Sequence, residues 1–442
     1  MDCRIEKFEE ELAREVLAMA SRAGAQKSRV TLNKSVMDLV ATLNGEVDKV
    51  THSLDRSLSI TLFVDGRYGT FSTNKLERTA LEEFVGKAVG MTRMLAEDRF
   101  RDLPSPERKA KDAQTGLELG LYDPAYEEVT PEMRRSTAVR CSAFDGRMIS
   151  EEGEYSDTGF DSIVMDSEGL YARHTESAFE YGVEVTIQDK DGNRYSAYDW
   201  ESSPALKDFH PEGCGEKALE KALAQVGMAP EASGRYNMVL DRDVASKVVT
   251  PVLNALAGSA VQQNNSFLTG MVGKKVFPEG LTIIDDCHLA GESGSRLYDS
   301  EGVATSDGPI IEKGVISKYF LNTYMAAKME MEPTIEDSTR AHVLPWPEKG
   351  LDRDAIMKLC GDGILVTGFN GGNSNSATGD FSYGIEGFLF KDGKIVKPVS
   401  EMLVTGNFLK LWENLIAAGD DPRRSMSKLI PTLAFSKVDF SG

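Results

Sequence analysis

The stretch Ser59-Ile-Thr-Leu-Phe-Val-Asp-Gly66 alternates polar and apolar residues and ends in a dipeptide that favours a tight hairpin turn. The alternation extends over residues 30–71, where Asn44-Gly45 supplies a second turn signal of the same kind. Successive side chains of a strand point to opposite faces, so each of these segments has one apolar face. The stretch therefore predicts an antiparallel meander.

Helices are predicted on both sides of this meander. An opening helix that ends near Gly24 is indicated by apolar residues at every fourth position, namely Phe8, Leu12, Val16 and Ala20. Similar periodicity predicts helices over 76–95 and 131–144, the latter with proline in its first turn, where the missing N–H does no harm. The first part of the chain thus combines helices with antiparallel strands.

Strands dominate the rest of the chain. We predict strands over 159–166, 170–174, 178–188 and 193–200, a short helix over 216–226, a strand over 236–240, a helix capped by Asp241 or Asp243, strands over 281–285, 310–320, 364–369, 385–390 and 395–399, a helix over 409–417 and a final strand over 432–440. No regular alternation of strand and helix is present, so the predicted fold class is α+β.

The length of 442 residues predicts two domains. Residues 228–234 string together helix breakers and small residues, and we place the boundary there. The predicted domains are 1–229 and 230–442, each with an antiparallel sheet and a few helices.

Composition excludes several classes of function. The chain has 50 Lys and Arg against 70 Asp and Glu, and the formal charge of −20 disfavours direct binding of nucleic acid. It contains no apolar run long enough to span a membrane, and its charged first residues lack the apolar core of a signal peptide. Its five cysteines are scattered and odd in number, which indicates reduced thiols in the cytoplasm.

The histidines do not form a zinc-protease motif. The five of them lie more than thirty residues apart, so neither H-E-x-x-H nor H-E-x-x-x-H is present. Residues 285–288 (Asp-Asp-Cys-His) are interpreted as a turn at a strand end, because adjacent strand residues point to opposite faces and do not readily converge on one ion. No metal ligand is predicted in this chain.

Residues 368–384 are dense in glycine and small polar residues. Glycines at 371, 372 and 379 leave the main chain unobstructed, which suits a loop that grips an extended peptide by its backbone. A well-ordered set of turns between two core strands explains the composition equally well. The composition alone leaves both interpretations open.

The same stretch carries a family resemblance. Its pattern N-x-x-T-G-D-F-S-x-G-x-x-G over 375–387 resembles the signature near the C-terminus of the TldD/PmbA family, on its PmbA (TldE) side. Further segments are similar in the same order: Val239–Asp241, Leu256–Ala260, Ser266–Gly273, Asp299–Val303 and Ile311–Gly314. The resemblance covers essentially the whole chain, more loosely in the N-terminal half.

This resemblance implies a cytoplasmic protease system, once named for modulation of DNA gyrase, that degrades unfolded peptides and matures a peptide antibiotic. In that system a TldD-type subunit supplies a zinc-binding H-E-x-x-x-H helix and a PmbA-type subunit pairs with it. In this chain the corresponding residues 243–254 contain neither His nor Glu. Zinc is therefore expected in the partner and no cofactor in this chain.

The leading hypothesis is a non-catalytic, PmbA-like subunit that shapes a peptide groove and forms a homodimer when alone. The residues predicted to contact peptide or partner are Asn264, Asn265, Ser266, Gly371, Gly372, Asn375, Thr378, Gly379, Asp380 and Ser382. One alternative is a stand-alone hydrolase that uses Asp380 and Ser382 with Asp285 or Asp286. Another is a regulatory protein that binds gyrase or another DNA-associated partner, and the negative charge of the chain is compatible with a basic protein as that partner.

Overall fold

The computed structural model describes residues 3–140, 143 and 145–442, with Arg140 described by its backbone alone. It confirms the α+β class, because helices accompany largely antiparallel sheets in both halves of the chain. The chain forms two compact units. The first consists of Met1–Ala222, His288–Thr305 and Asn322–Ile335, and the second of Leu223–Cys287, Ser306–Leu321 and Glu336–Gly442.

The helices, in chain order, are α1 (Lys7–Ala23), α2 (Arg78–Thr92), α3 (Pro131–Arg140), α4 (Cys214–Ala224), α5 (Ser246–Ala255), α6 (Gly258–Gln262), α7 (Thr323–Met329), α8 (Arg353–Cys360) and α9 (Phe408–Glu413). The strands are β1 (Lys27–Leu43), β2 (Glu46–Val64), β3 (Arg67–Thr73), β4 (Met148–Asp166), β5 (Tyr171–Gln188), β6 (Arg194–Ser203), β7 (Gly234–Leu240), β8 (Ile283–Asp285), β9 (Gly308–Glu312), β10 (Val315–Ile316), β11 (Ala341–Val343), β12 (Gly363–Ser374), β13 (Asp380–Lys391), β14 (Lys394–Asn407), β15 (Leu415–Ala418) and β16 (Leu433–Ser441).

The first unit contains a six-stranded antiparallel sheet in the order β3-β2-β1-β4-β5-β6. The predicted meander is confirmed as β1 to β3. Its two turns have positive φ at both central residues, 52° and 77° at Asn44-Gly45 and 51° and 72° at Asp65-Gly66. These are the values that a two-residue hairpin of type I′ requires. Helices α1 and α2 cover one face of the sheet over a core that includes Val16, Ile60 and Leu81.

Some details of the first unit differ from the sequence predictions. The side chain of Phe8 is 58% exposed, because a strict spacing of four drifts around a helix of 3.6 residues per turn. The segments predicted over 170–174 and 178–188 form one strand, since Thr175 in the gap is buried and donates to Asp161 Oδ1 at 2.9 Å. Helix α3 ends at Arg140, and Phe144 lies outside the described residues.

The second unit contains a six-stranded sheet in the order β14-β13-β12-β7-β16-β15. β14 also pairs with β16, so five of these strands close into a barrel. β12 pairs in parallel with β7 only from Ile364 to Val366. Beyond this point β12 continues to Ser374 with β13 on one side alone. A smaller sheet has the order β10-β9-β8-β11.

Four predictions for this unit are wrong. Residues 310–320, predicted as one strand, form the pair β9 and β10 around a turn with positive φ at Lys313 and Gly314. Residues 415–417, predicted as helical, belong to β15, because pairing with β16 in the core outweighs the local periodicity. Helix α5 begins after Ala245, and the Asp241 carboxylate accepts from the Asp243 amide within the preceding turn. The stretch 368–384 is mostly strand, with a turn confined to 375–379.

The predicted boundary at 229/230 stays a prediction, and the sequence carried no signal for the two later segments that join the first unit. Among the described residues, no helix is both long and apolar enough to cross a bilayer. The described cysteines, Cys3, Cys214, Cys287 and Cys360, form no disulfide, and Cys141 lies outside the described residues.

Candidate functional site

The turn between β12 and β13 is held by its own first residue. The Asn375 carbonyl accepts from the Gly379 amide at 2.7 Å, and its side-chain Oδ1 accepts from the Ala377 amide at 2.9 Å. Gly379 is buried and has φ 79°, and a Cβ there would lie 3.1 Å from the Phe267 ring. Both the backbone conformation and the close ring require glycine at this position.

Asp380 stabilises the same turn. Its Oδ2 accepts from Thr378 Oγ1 at 2.7 Å and its Oδ1 accepts from Asn407 Nδ2 at 2.9 Å. These two hydrogen bonds hold the pKa of Asp380 below its ordinary value, and the one from Asn407 has the larger effect. The carboxylate is therefore ionised at neutral pH and engaged on both oxygens.

Asn407, which the sequence analysis missed, connects this turn to α9. Its Nδ2 also donates to the Thr378 carbonyl at 2.8 Å, and its Oδ1 accepts from the Leu409 amide at 3.1 Å as the N-cap of the helix. The available signal was an asparagine immediately before an apolar helical start. One side chain thus ties the turn to a helix.

The segment 264–266, which was predicted to belong to the same site, contacts the turn at 375–379. Ser376 Oγ donates to Asn265 Oδ1 at 2.8 Å, and the Phe267 amide donates to the Ser376 carbonyl at 3.0 Å. Asn264 has φ 54° and is exposed. Ser266 is buried, and its hydroxyl donates to the Ala255 carbonyl at 2.5 Å, so this side chain supports the segment from inside.

Gly371 and Gly372 lie in a bulge of β12, with φ of 104° and 94°. Gly372 is opposite Tyr383, and a Cβ on it would lie 2.1 Å from the Ser382 carbonyl oxygen. A Cβ on Gly371 would meet no atom within 4 Å. Gly372 is therefore required by close backbone approach, and Gly371 by its conformation alone.

An aromatic row runs beneath these residues. Successive ring centroids are 5.6 Å apart for Phe369–Tyr383, 5.4 Å for Tyr383–Phe381, 4.8 Å for Phe381–Phe408 and 5.9 Å for Phe408–Phe267. Lys247 of α5 places its ammonium 4.5 Å from the Tyr383 centroid. The row gives the turn and its strands a rigid apolar base.

Known proteins share this architecture. Family models describing the PmbA/TldA metallopeptidase match the chain in three parts, with domain 1 over residues 30–92, the central domain over 122–226 and the C-terminal domain over 233–442. The chain belongs to the PmbA/TldD family. The resemblance inferred from residues 375–387 is thereby confirmed.

Relatives of the PmbA/TldD family match along their whole length. A solved structure from Bacteroides thetaiotaomicron, described as a candidate modulator of DNA gyrase, is 40% identical with a TM-score of 0.94 and covers 99% of this chain and 100% of its own. The metalloprotease PmbA of Escherichia coli O157:H7 is 28% identical over 426 residues, which are 94% of this chain and 92% of the relative. TldE of Thermococcus kodakarensis has a TM-score of 0.81 at 19% identity, covers 98% of this chain and 100% of its own, and shows the fold alone.

The residues at the position of the family's zinc helix do not fit a zinc ion. In the segment 243–254 the only carboxylate is Asp243, and both of its oxygens accept from Arg423, at 2.5 and 3.0 Å. No imidazole is present in this segment, and Lys247 adds a positive charge that repels a cation. No catalytic step is therefore assigned to a metal in this segment.

The carboxylates of the alternative hydrolase site are also engaged. Asp285 is 2% exposed and accepts from the backbone amides of Arg340 at 2.7 Å and Thr339 at 3.0 Å. Burial raises the pKa of Asp285. Asp286 lies 3.3 Å from His342 Nδ1. With Asp380 bound to Thr378 and Asn407, no observation favours a base and nucleophile pair among these residues.

The turn is expected to respond to acid. The pKa of Asp380 in the folded protein lies below the ordinary carboxyl value of 3.8. The ionised carboxylate therefore stabilises the fold above pH 3.8, and this stabilisation is lost as the pH falls through the lower pKa of the folded state. We expect the Gly379 amide resonance to titrate with a midpoint below pH 3.8 and the Asp380→Asn variant to lose this transition. NMR titration tests both, and a wild-type midpoint at or above 3.8 would contradict the assignment.

Proposed function

We propose that this chain is the non-catalytic, PmbA/TldE-like subunit of a two-component zinc metalloprotease that acts on unfolded peptides. The observation that carries the proposal is the segment 243–254, which stands where the family's zinc helix is expected and offers no free ligand for zinc. Membership of a metallopeptidase family supports the reaction class. Zinc and the reacting groups then belong to a TldD-type partner.

The outer part of β12 supplies a surface for the peptide. From 367 to 374 no strand pairs with β12 on its β7 side among the described residues, and its residues from 370 onward are exposed. A free strand edge presents unpaired N–H and C=O groups that bind an extended chain largely independently of its sequence. That property suits unfolded substrates. The turn at 375–379 and its tie to Asn407 hold the edge in place.

The proposal includes the cellular setting. The complex acts in the cytoplasm, where the scattered thiols remain reduced. In the absence of its partner the chain pairs with itself, because a surface complementary to a homologous subunit is suited to a second copy. Neither nucleic acid nor membrane takes part.

Zinc content and peptide hydrolysis test the subunit assignment. We expect the purified chain alone to bind no stoichiometric zinc and to cleave no unfolded peptide. Mixing with a TldD-type protein from the same source should produce cleavage that a chelator abolishes. Cleavage by the chain alone, or an unchanged rate on mixing, would overturn the proposal.

Hydrogen exchange tests the peptide edge. In the mixed complex with its zinc helix inactivated by substitution, an unfolded peptide should protect amides of 367–374. β6, which is also the outermost strand of its sheet, provides a matched control and should remain unprotected. Equal protection of both edges would indicate non-specific pairing.

A regulatory role has one specific support, the gyrase description carried by the Bacteroides relative. Salt-sensitive binding of purified gyrase, with no cleavage in any mixture, would favour that role over the protease subunit. The charge of −20 would then attract a basic surface of the partner.

A further inference from the structure

A cavity of about 270 Å³ opens in the second unit beside the turn at 375–379. Its walls are formed by the end of β14, by α9 and its following residues, and by the paired strands β7 and β16. Asn407 belongs to this wall and also binds Thr378 and Asp380. The cavity is therefore attached to the candidate site without being part of the β12 edge.

The charge of the cavity is opposite to that of the whole chain. Its lining contains Arg235, Lys410 and Lys437 but a single carboxylate, Asp439. Arg235 Nε donates to Asp439 at 2.8 Å, so these two neutralise each other. Within the described part of the chain, neither lysine forms an ion pair. Two lysines without an ion-pair partner thus line one concave surface in a chain of charge −20.

The backbone at Lys437 is adapted to this arrangement. The residue has φ 55° and lies in a bulge of β16 between Phe435 and Val438. A non-glycine residue at positive φ is strained, and a bulge redirects a side chain. Glycine would remove this strain. The bulge sets where the Lys437 side chain leaves the strand, beside the cavity that it lines.

The remaining lining indicates the kind of anion. Phe381, Leu411 and Val438 are buried and provide an apolar wall. The Thr405 hydroxyl also lines the cavity and makes no hydrogen bond within the described residues, so it is available as a donor. Cations beside an apolar wall match a carboxylate next to a small apolar side chain. The C-terminal residue of a peptide has this composition.

We infer that this cavity binds the terminal carboxylate of a peptide, with Lys410 and Lys437 as the charged ligands and Phe381, Leu411 and Val438 against the last side chain. The inference rests on the proposed peptide-binding function. The inference also gives the orientation of the bound peptide: its C-terminus lies in the cavity and its preceding residues extend toward the adjoining turn and the β12 edge.

Calorimetry on the full chain alone tests the inference with N-acetyl-Ala-Ala-Leu as the free acid and as the amide. We expect the free acid to bind at least tenfold more tightly than the amide, because only the free acid can accept charge-assisted hydrogen bonds, which contribute about 1.5 kcal/mol or more. Raising the salt concentration should weaken only the free acid. Equal affinities, or no binding of either peptide, would overturn the inference.

Variants locate the site. Lys410→Met and Lys437→Met should each weaken the free acid by about three- to tenfold. Lys437→Gly should do the same without loss of stability, because it relieves the positive φ. Lys394→Met, an exposed lysine at the other end of β14, is the matched control and should leave affinity unchanged. Unchanged binding by Lys437→Gly would overturn the assignment of this residue.

Inorganic phosphate distinguishes the source of the anion. If phosphate displaces the free-acid peptide only at concentrations far above the peptide concentration, the result supports the peptide assignment. Equal competition would identify a general anion site and overturn it. These measurements need no TldD-type partner, so a failure of partner-dependent cleavage is distinguishable from a failure of this inference.

Discussion

Replacing Gly372 with alanine is expected to destabilise the β12–β13 hairpin by about 3 kcal/mol. Positive φ costs an L-residue about 1–2 kcal/mol, and an overlapping methyl group adds about 1–3 kcal/mol. Here φ is 94° and the new Cβ would lie 2.1 Å from the Ser382 carbonyl oxygen. That contact joins two backbones, so relief requires the strands to separate. Native-state hydrogen exchange of the β13 amides measures the loss locally.

The neighbouring glycine provides a matched control for this prediction. Gly371 has φ 104°, but a Cβ on it meets no atom within 4 Å. Its replacement by alanine should therefore cost only the conformational term, about 1–2 kcal/mol. Equal losses for the two variants would show that the close approach at Gly372 relaxes freely. In the mixed protease assay, Gly372→Ala should lower cleavage more than Gly371→Ala.

Phe408→Ala is expected to have the largest effect on the second unit. Phe408 is 1% exposed and lies between Phe381, at 4.8 Å, and Phe267, at 5.9 Å. Removing a buried phenylalanine ring costs about 3–5 kcal/mol, which lowers the melting temperature of a unit of this size by about 10 °C. The Phe267 ring that limits space at Gly379 would lose its support. Differential scanning calorimetry measures the shift.

Two further variants separate cavity formation from other effects. Phe408→Leu keeps most of the buried volume and should cost clearly less than the alanine variant. Phe8→Ala removes a ring that is 58% exposed in the first unit and should change stability by no more than about 0.5 kcal/mol. A melting temperature of Phe408→Ala within 2 °C of the wild type would show that the aromatic row is not a structural base.

Under the proposed function, this chain contributes surfaces rather than reacting groups. Its carboxylates near the turn are bound by neighbours, as Asp380 is by Thr378 and Asn407. Two open features of its described residues are a strand edge and a cavity lined by two lysines that form no ion pair. We expect the chemistry to depend on groups that a partner brings to these surfaces.

Local patterns in the sequence determined much of the fold. The turns at Asn44-Gly45 and Asp65-Gly66 were predictable because type I′ geometry needs φ above zero at two successive residues, and few residue types allow it. The α+β class and the family followed in the same way, from short-range periodicity and from an ordered set of motifs. The absence of His and Glu from residues 243–254 was likewise visible in residue identities alone.

Only the tertiary structure decided how distant segments combine. The contact of Asn265 with Ser376, the two hydrogen bonds of Asn407 to the turn and the closure of β14 on β16 join residues far apart in sequence. Pairing of Leu415–Ala418 with β16 overrode a helical pattern for the same reason. Such contacts depend on register and on burial, which local pattern does not encode, so the sequence alone determined the class and the family while the fold assembled the site.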